Sequence, residues 1–462
     1  HACFDVRTAV RLEPPSLNDL ARFPVKQDGN GISVTLPNDN ERQPQGKADP
    51  SDTRHFVIVG GGAVGNSAAE EMRRGGYHGK ITILSSAETT PIDRPNLSKD
   101  YLAGDAQPDW IPLRDADWYA KRDIDLRLNT TVTKVDAKAH TLTLDGGETL
   151  HYDKLLLATG AIPRDMKRVS GGDLEGIFTL RSLADASVIL EQAKTYKRIV
   201  IVGSSFIGME VAASLAKGQQ ASVTLVDMVD LPFQKVLGNR VGAAFRDAHT
   251  ANGVQFRLGA LLEGFIGENG HVTGVQIANE VLPADFVVIG VGVRPATDFL
   301  KDTRIKLNEK DSSVEVNAQL RSSDPDIYAA GDIARYPVEG GTQRIEHWRV
   351  AQQQGVVAAR GMIGQSDDVN KHVPFFWTTQ WGFTVRYVGH AEGWDEIIYR
   401  GDPEEKNFIA FYVKEGKLKA AAGSKHDQEM AALEFILRDR MPLTADQMRD
   451  AAFDLVKYAV SS

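Results

Sequence analysis

A single cysteine, Cys3, in 462 residues rules out an internal disulfide and any redox-active cysteine pair. A Rieske centre needs two cysteines and two histidines, so no iron–sulfur cluster held by this chain is expected. Positive charge is also in deficit: 53 Lys and Arg against 62 Asp and Glu leave a net −9. That balance argues against nucleic acid as a main partner, which would require a cationic face. Roughly 18 uninterrupted apolar residues are needed to cross a bilayer, and no such run occurs, so no membrane span is expected. No signal-peptide pattern opens the chain, and the cysteine usage fits a reducing compartment, so a cytoplasmic location is expected. Metal-ligand spacing is missing as well. His372, His390 and His426 fall on different expected elements, and no metal site is expected.

Glycine, by contrast, is placed with purpose. Phe56–Val59 reads as a fully buried parallel strand, and Gly60, Gly62 and Gly65 follow it into a helix expected over Asn66–Arg74. Gly60 permits the tight turn, Gly62 lets backbone approach a pyrophosphate, and Gly65 lets helix and strand pack closely. Phosphates would sit on the helix N-terminus, where free N–H groups and the positive dipole end point. Ile199–Val202 opens a second copy, with Gly203, Ser205 and Gly208 in the turn. Ser205 replaces the middle glycine, which restricts backbone approach. Asp227 ends the next apolar strand about 20 residues past Gly208, the spacing of a carboxylate that bonds an adenosine ribose. In the first copy that position holds Ser85 and Ser86 after the strand Lys80–Leu84, and Glu88 is the nearest carboxylate. Two dinucleotide-binding units in one chain imply a bound redox cofactor and a diffusible partner for it.

In chain order, 1–53 reads as an N-terminal arm and linker, with short strands near Phe23–Val25 and Gly31–Leu36 and a polar linker from Asn38 to Thr53. The first dinucleotide domain spans 54–180 and 298–372, the second spans 181–297, and 373–462 forms a C-terminal α+β piece. A length of 462 residues favours several domains over one core. Two apolar strands end in glycine turns, at Ala158–Gly160 and at Gly290–Gly292, and a third ends in Gly331-Asp332. Carboxyl ends of parallel strands face the ligand crevice, where Asp332 could bond a polyol hydroxyl. A helix is expected over Arg349–Met362. The C-terminal piece reads as an antiparallel meander covered by helices near Asp427–Leu437 and Ala445–Tyr458.

The order of the glycine fingerprint, Arg94-Pro-Asn-Leu-Ser-Lys99, Ala158-Thr-Gly160, a second fingerprint trailed by Glu210, Gly331-Asp332, Glu346-His-Trp348 and Phe376-Trp-Thr-Thr-Gln380 resembles one group. That group is the FAD-dependent, NADH-using ferredoxin reductases and the apoptosis-inducing-factor flavoproteins. The resemblance covers roughly 54–425 and is nearest to members with an N-terminal Rieske domain, of which 1–37 would be the tail. It implies an α/β fold with two Rossmann-like dinucleotide-binding domains of glutathione-reductase type plus the C-terminal α+β domain. FAD would be held by Gly60, Gly62, Val64 and Gly65, with Glu88 as the candidate ribose acid. Ala158, Thr159, Gly160 and Arg164 would add to that site, with Gly331 and Asp332 at the ribityl chain and His347 nearby. NAD(H) would meet Gly203, Ser205, Ile207, Gly208, Glu210, Asp227 and Gly292.

Arg94 and Lys99 would lie by the flavin, with Lys99 paired to Glu210, since a cation there stabilises reduced anionic flavin and a carboxylate offsets its burial. Trp348 and Trp377 would flank the isoalloxazine and shield it from solvent and oxygen. Lys99, Glu210, Trp348 and Trp377 are the catalytic candidates. The cysteine of related disulfide reductases and peroxidases has no counterpart in Leu97-Ser-Lys99. Thr379 stands where the reductases often carry an acid. The expected activity takes hydride from NADH onto flavin N5 and passes electrons to an iron–sulfur acceptor, either a separate protein or a fused Rieske domain. The alternatives are an NADH oxidase or quinone reductase, and an NADH-responsive redox sensor with slow turnover. A homodimer is compatible with all three.

Overall fold

The Val- and Ile-rich runs before the two glycine turns form the central strands of two parallel sheets in a computed structural model that describes residues 2–36, 47–278 and 280–461. Strands buried on both faces need apolar side chains at every position, which is why these runs do not alternate. The chain divides into two units. The first comprises His1–Pro91, Leu113–Gly160 and Ala296–Asn370, and the second Ile92–Pro112, Ala161–Pro295 and Lys371–Ser462.

In the first unit the parallel sheet runs Ile327–Ala329, Lys154–Leu157, His55–Val59, Lys80–Leu84, Ile124–Arg127. Phe56, Ile58 and Leu156 face a core shared with helices Ala63–Arg74 and Trp348–Met362. Val57, Val59 and Leu157 face the other way, onto Leu142 and Leu144 of a three-stranded antiparallel sheet. The two helices pack tightly where Gly355 passes Val64; a Cβ at Gly355 would come within 2.7 Å of the Val64 carbonyl oxygen. The N-terminal arm lies on this unit. Arg114 donates to the Leu17 carbonyl (3.1 Å) and to Asn18 Oδ1 (2.8 Å), and Gln353 donates to Glu13 Oε2 (2.8 Å). The two expected arm strands form one hairpin, Val25–Asp28 against Gly31–Val34. Most of the linker expected from Asn38 lies outside the described residues.

The second unit repeats the theme with strands Ile177–Thr179, Phe286–Ile289, Arg198–Val202, Ser222–Asp227, Gln255–Leu258, all parallel. Its C-terminal sheet is antiparallel throughout but is not the expected meander. The order is Phe375–Gln380, Phe383–Gly389, Lys417–Ser424, Asn407–Lys414, Glu396–Asp402. The last strand takes the centre because its Ala420-Ala-Ala-Gly423 run is small enough to pass beneath helix Asp427–Arg438. A Cβ at Gly423 would sit 2.6 Å from Met430 Sδ. The single helix expected over Ala445–Tyr458 is two, Ala445–Arg449 and Leu455–Val460. Buried Arg400 accounts for the break: it donates to the carbonyls of Met448 (2.8 Å), Phe453 (3.1 Å) and Gln447, while Asp454 caps the second helix. Among the described residues no helix is long and apolar enough to cross a membrane, and no group of His, Cys, Asp and Glu could hold a metal.

Candidate functional site

In the first unit, strand His55–Val59 delivers the chain into a turn that only glycine tolerates. Gly60 has φ +125°, and a Cβ there would lie 2.1 Å from the Ala158 carbonyl oxygen. A Cβ at Gly65 would lie 2.1 Å from the Gly60 carbonyl oxygen, so helix and turn touch through backbone. The helix Ala63–Arg74 begins at Gly62 with no side-chain cap and no acidic residue in its first turn. Uncapped N–H groups at a dipole's positive end suit a phosphate. The other strand ends gather at the same turn. Gly331 (φ +78°) approaches Val64, where a Cβ would be 2.7 Å from Cγ2, and its N–H donates to Gln354 Oε1 at 2.7 Å. Thr159 Oγ1 donates to the Ala296 carbonyl at 2.8 Å, which fixes the Ala158–Gly160 turn, and Gly160 adopts φ +70°. Asp332 follows in a single 3-10 turn whose backbone is held by Arg344, donating to the Asp332 carbonyl at 2.9 Å. His347 and half-buried Trp348 open the helix that runs to Met362. The backbone geometry therefore fits a dinucleotide. Ser85 is buried and bonds within its own turn, whereas Glu88 is exposed.

The second unit holds the other turn. Gly203 (φ +107°) passes Gly290, where a Cβ would be 2.4 Å from the carbonyl oxygen. Ser205 caps helix Phe206–Gly218: its hydroxyl accepts from Gly208 N–H (3.4 Å) and donates to the Gly290 carbonyl (2.8 Å). The serine thus joins the turn to the neighbouring strand, a bond glycine could not make. Ile207 is exposed, and Gly292 (φ +92°) has open space around it. Arg164 is exposed and its N–H donates to the Gly292 carbonyl (3.0 Å). Asp227 ends its strand and accepts from Ser204.

Lys99 and Glu210 meet in this unit, Nζ to Oε2 at 2.8 Å. Lys99 sits at a kink in the turn Leu97–Tyr101 (φ −115°, ψ −107°) that follows Arg94, and also donates to the Pro95 carbonyl. Glu210 is 4% exposed and takes two further donors, Ser98 Oγ at 2.6 Å on Oε2 and Thr378 Oγ1 at 2.7 Å on Oε1. Gln380 Nε2 donates to Thr378 Oγ1 in turn (2.9 Å). Three elements far apart in sequence therefore converge on one carboxylate. Ser98 and Thr378 escaped the sequence reading. Their only signal was adjacency, each lying next to a singled-out residue, Lys99 or Trp377. Trp377 belongs to the C-terminal sheet of the second unit and Trp348 to the first unit. Thr379 points to Thr384, with their hydroxyls 3.0 Å apart.

Comparison with known proteins bears on both turns. The family described as pyridine nucleotide-disulphide oxidoreductase matches residues 54–355, and the one described as reductase C-terminal matches 375–459. Apoptosis-inducing factor 3 of Mus musculus is 33% identical, over 92% of this chain and 71% of its own length. The ferredoxin–NAD(+) reductase component of the biphenyl dioxygenase system of Paraburkholderia xenovorans is also 33% identical, over 87% of this chain and 97% of its own. The reductase in the covalent putidaredoxin reductase–putidaredoxin complex is similar in structure, with a TM-score of 0.83. It is 32% identical over 89% of this chain and 99% of that one.

Proposed function

The chain belongs to the pyridine nucleotide-disulphide oxidoreductase family, and from that premise we propose that it is an NADH-dependent flavoprotein reductase serving an iron–sulfur acceptor. The observation that carries this reading is the pair of strand–turn–helix cradles, one per unit, each closed to any side chain at its first glycine. We assign FAD to the Gly60 turn and NAD(H) to the Gly203 turn. FAD held there would supply the two-electron and one-electron redox chemistry that links NADH to an iron–sulfur acceptor. The protein's part is to bind and orient. Gly62, Val64 and Gly65 present N–H groups to phosphate, and Asp332 is assigned the ribityl hydroxyls. Lys99 is assigned the charge on the reduced ring, with Glu210 balancing it. Hydride transfer depends on positioning and requires no general base. Trp348 and Trp377 are the residues we assign to shielding the isoalloxazine from solvent and oxygen. Ferredoxin reductase relatives guide the choice of acceptor, and a cytoplasmic location completes the reading.

The test follows NADH oxidation in air with and without a two-iron ferredoxin. Strong acceleration by the ferredoxin, with little oxygen use in its absence, is the expected result. Rapid oxygen consumption without acceptor would make the chain an oxidase instead. Slow turnover together with an NADH-dependent change in mass would make it a sensor.

A further inference from the structure

Asp227 is gripped before any ligand arrives. Its Oδ2 accepts from both the backbone N–H of Ser204 (2.6 Å) and the Ser204 hydroxyl (2.7 Å), and Ser204 is buried. Oδ1 accepts a single long bond from Val229 N–H at 3.3 Å. Two short bonds to one oxygen fill its lone pairs and fix the carboxylate's rotation, leaving Oδ1 as the oxygen with capacity. The following residues, Met228, Val229 and Asp230, carry no cation that could neutralise a phosphate.

We infer that Ser204 is a specificity-determining residue: by clamping Asp227 it presents one carboxylate oxygen, and its charge, to the adenosine ribose, so that a free 2′-hydroxyl is accepted and a 2′-phosphate refused. This rests on the assignment of NAD(H) to the second turn. A hydroxyl donates to Oδ1, whereas a phosphate brings negative charge to a carboxylate that cannot rotate away. Ser204 touches no reacting atom and acts through Asp227.

The test compares wild type, Ser204→Ala, Ser204→Thr and Asp227→Asn, reading kcat/KM for NADH and NADPH with ferricyanide as acceptor. Ser204→Ala keeps the backbone donor and loses the hydroxyl. Its NADH preference should fall about tenfold, the worth of one bond to a charged group, with the loss in KM for NADH and not in kcat. Ser204→Thr retains a hydroxyl and should recover the preference to within about threefold. Calorimetric binding of ADP-ribose against its 2′-phosphate should show the same order. If Ser204→Ala matches wild type in the preference while Asp227→Asn lowers it, the clamp is irrelevant and the inference falls, though the nucleotide assignment stands. If Asp227→Asn also leaves the preference untouched, the assignment of this turn falls too.

Discussion

Lys99→Met, Glu210→Gln and their combination form a cycle that weighs the buried pair. At 2.8 Å and an effective dielectric near 20, the bare attraction is about 6 kcal/mol, most of it offset by desolvation of both groups. Removing one partner of a buried pair typically costs about 3–5 kcal/mol. Here the Ser98 and Thr378 hydroxyls still hold the carboxylate when Lys99 is gone, and Lys99 keeps 19% of its side chain exposed. Each single change should therefore cost about 2–3 kcal/mol, at or below the low end of that range, and the double change less than their sum by about 2 kcal/mol. Two units in one chain make a single global unfolding free energy ill-defined. Native-state hydrogen exchange on peptides from helix Phe206–Gly218 reads the local value instead. Additivity within about 0.5 kcal/mol would mean that the two groups do not support each other and that the contact is a surface-type ion pair.

Other outcomes follow from single residues. Ser205→Gly supplies the middle glycine of the fingerprint yet should destabilise helix Phe206–Gly218 by about 1 kcal/mol, because the cap and the bond to Gly290 are lost; slower hydrogen exchange in that helix would contradict this. Gly60→Ala forces a methyl onto the Ala158 carbonyl oxygen, and the purified protein should retain little FAD after gel filtration; stoichiometric flavin would remove that turn from the FAD site. Burial, then the charge of Lys80, pushes His55 down to about 4 from an ordinary 6.5. The folded chain thus binds fewer protons than the unfolded one, so this contribution to stability is complete above about 6.5 and is lost as pH falls toward 4. His55→Gln should flatten the pH dependence of the local opening free energy of strand His55–Val59, read by native-state hydrogen exchange across that window, and an unchanged slope would count against it.

Local chemistry was legible in the sequence wherever one residue type answers one backbone demand. The strands before Gly60 and Gly203, the helix after Gly60 and the Trp348–Met362 helix follow from apolar runs and glycine punctuation, with ends shifted by a few residues at most. Tertiary partners were not legible. Nothing near Ser98 or Thr378 announces that both hydroxyls turn to Glu210, since the donors come from segments more than a hundred residues away. Arg400 breaking the last helix and the Ala420–Ala422 strand moving to the centre of its sheet are also consequences of packing. Ser205 was expected only to restrict phosphate approach; that it caps a helix and ties two strands together depends on where Gly290 comes to lie.

An anaerobic titration of the purified protein with NADH, followed by visible absorbance, goes straight to the two-cradle account. A yellow protein whose visible band is bleached by about one equivalent of NADH per chain is the predicted result. A colourless protein that takes up no FAD, or a yellow one that NADH leaves unbleached, would contradict it.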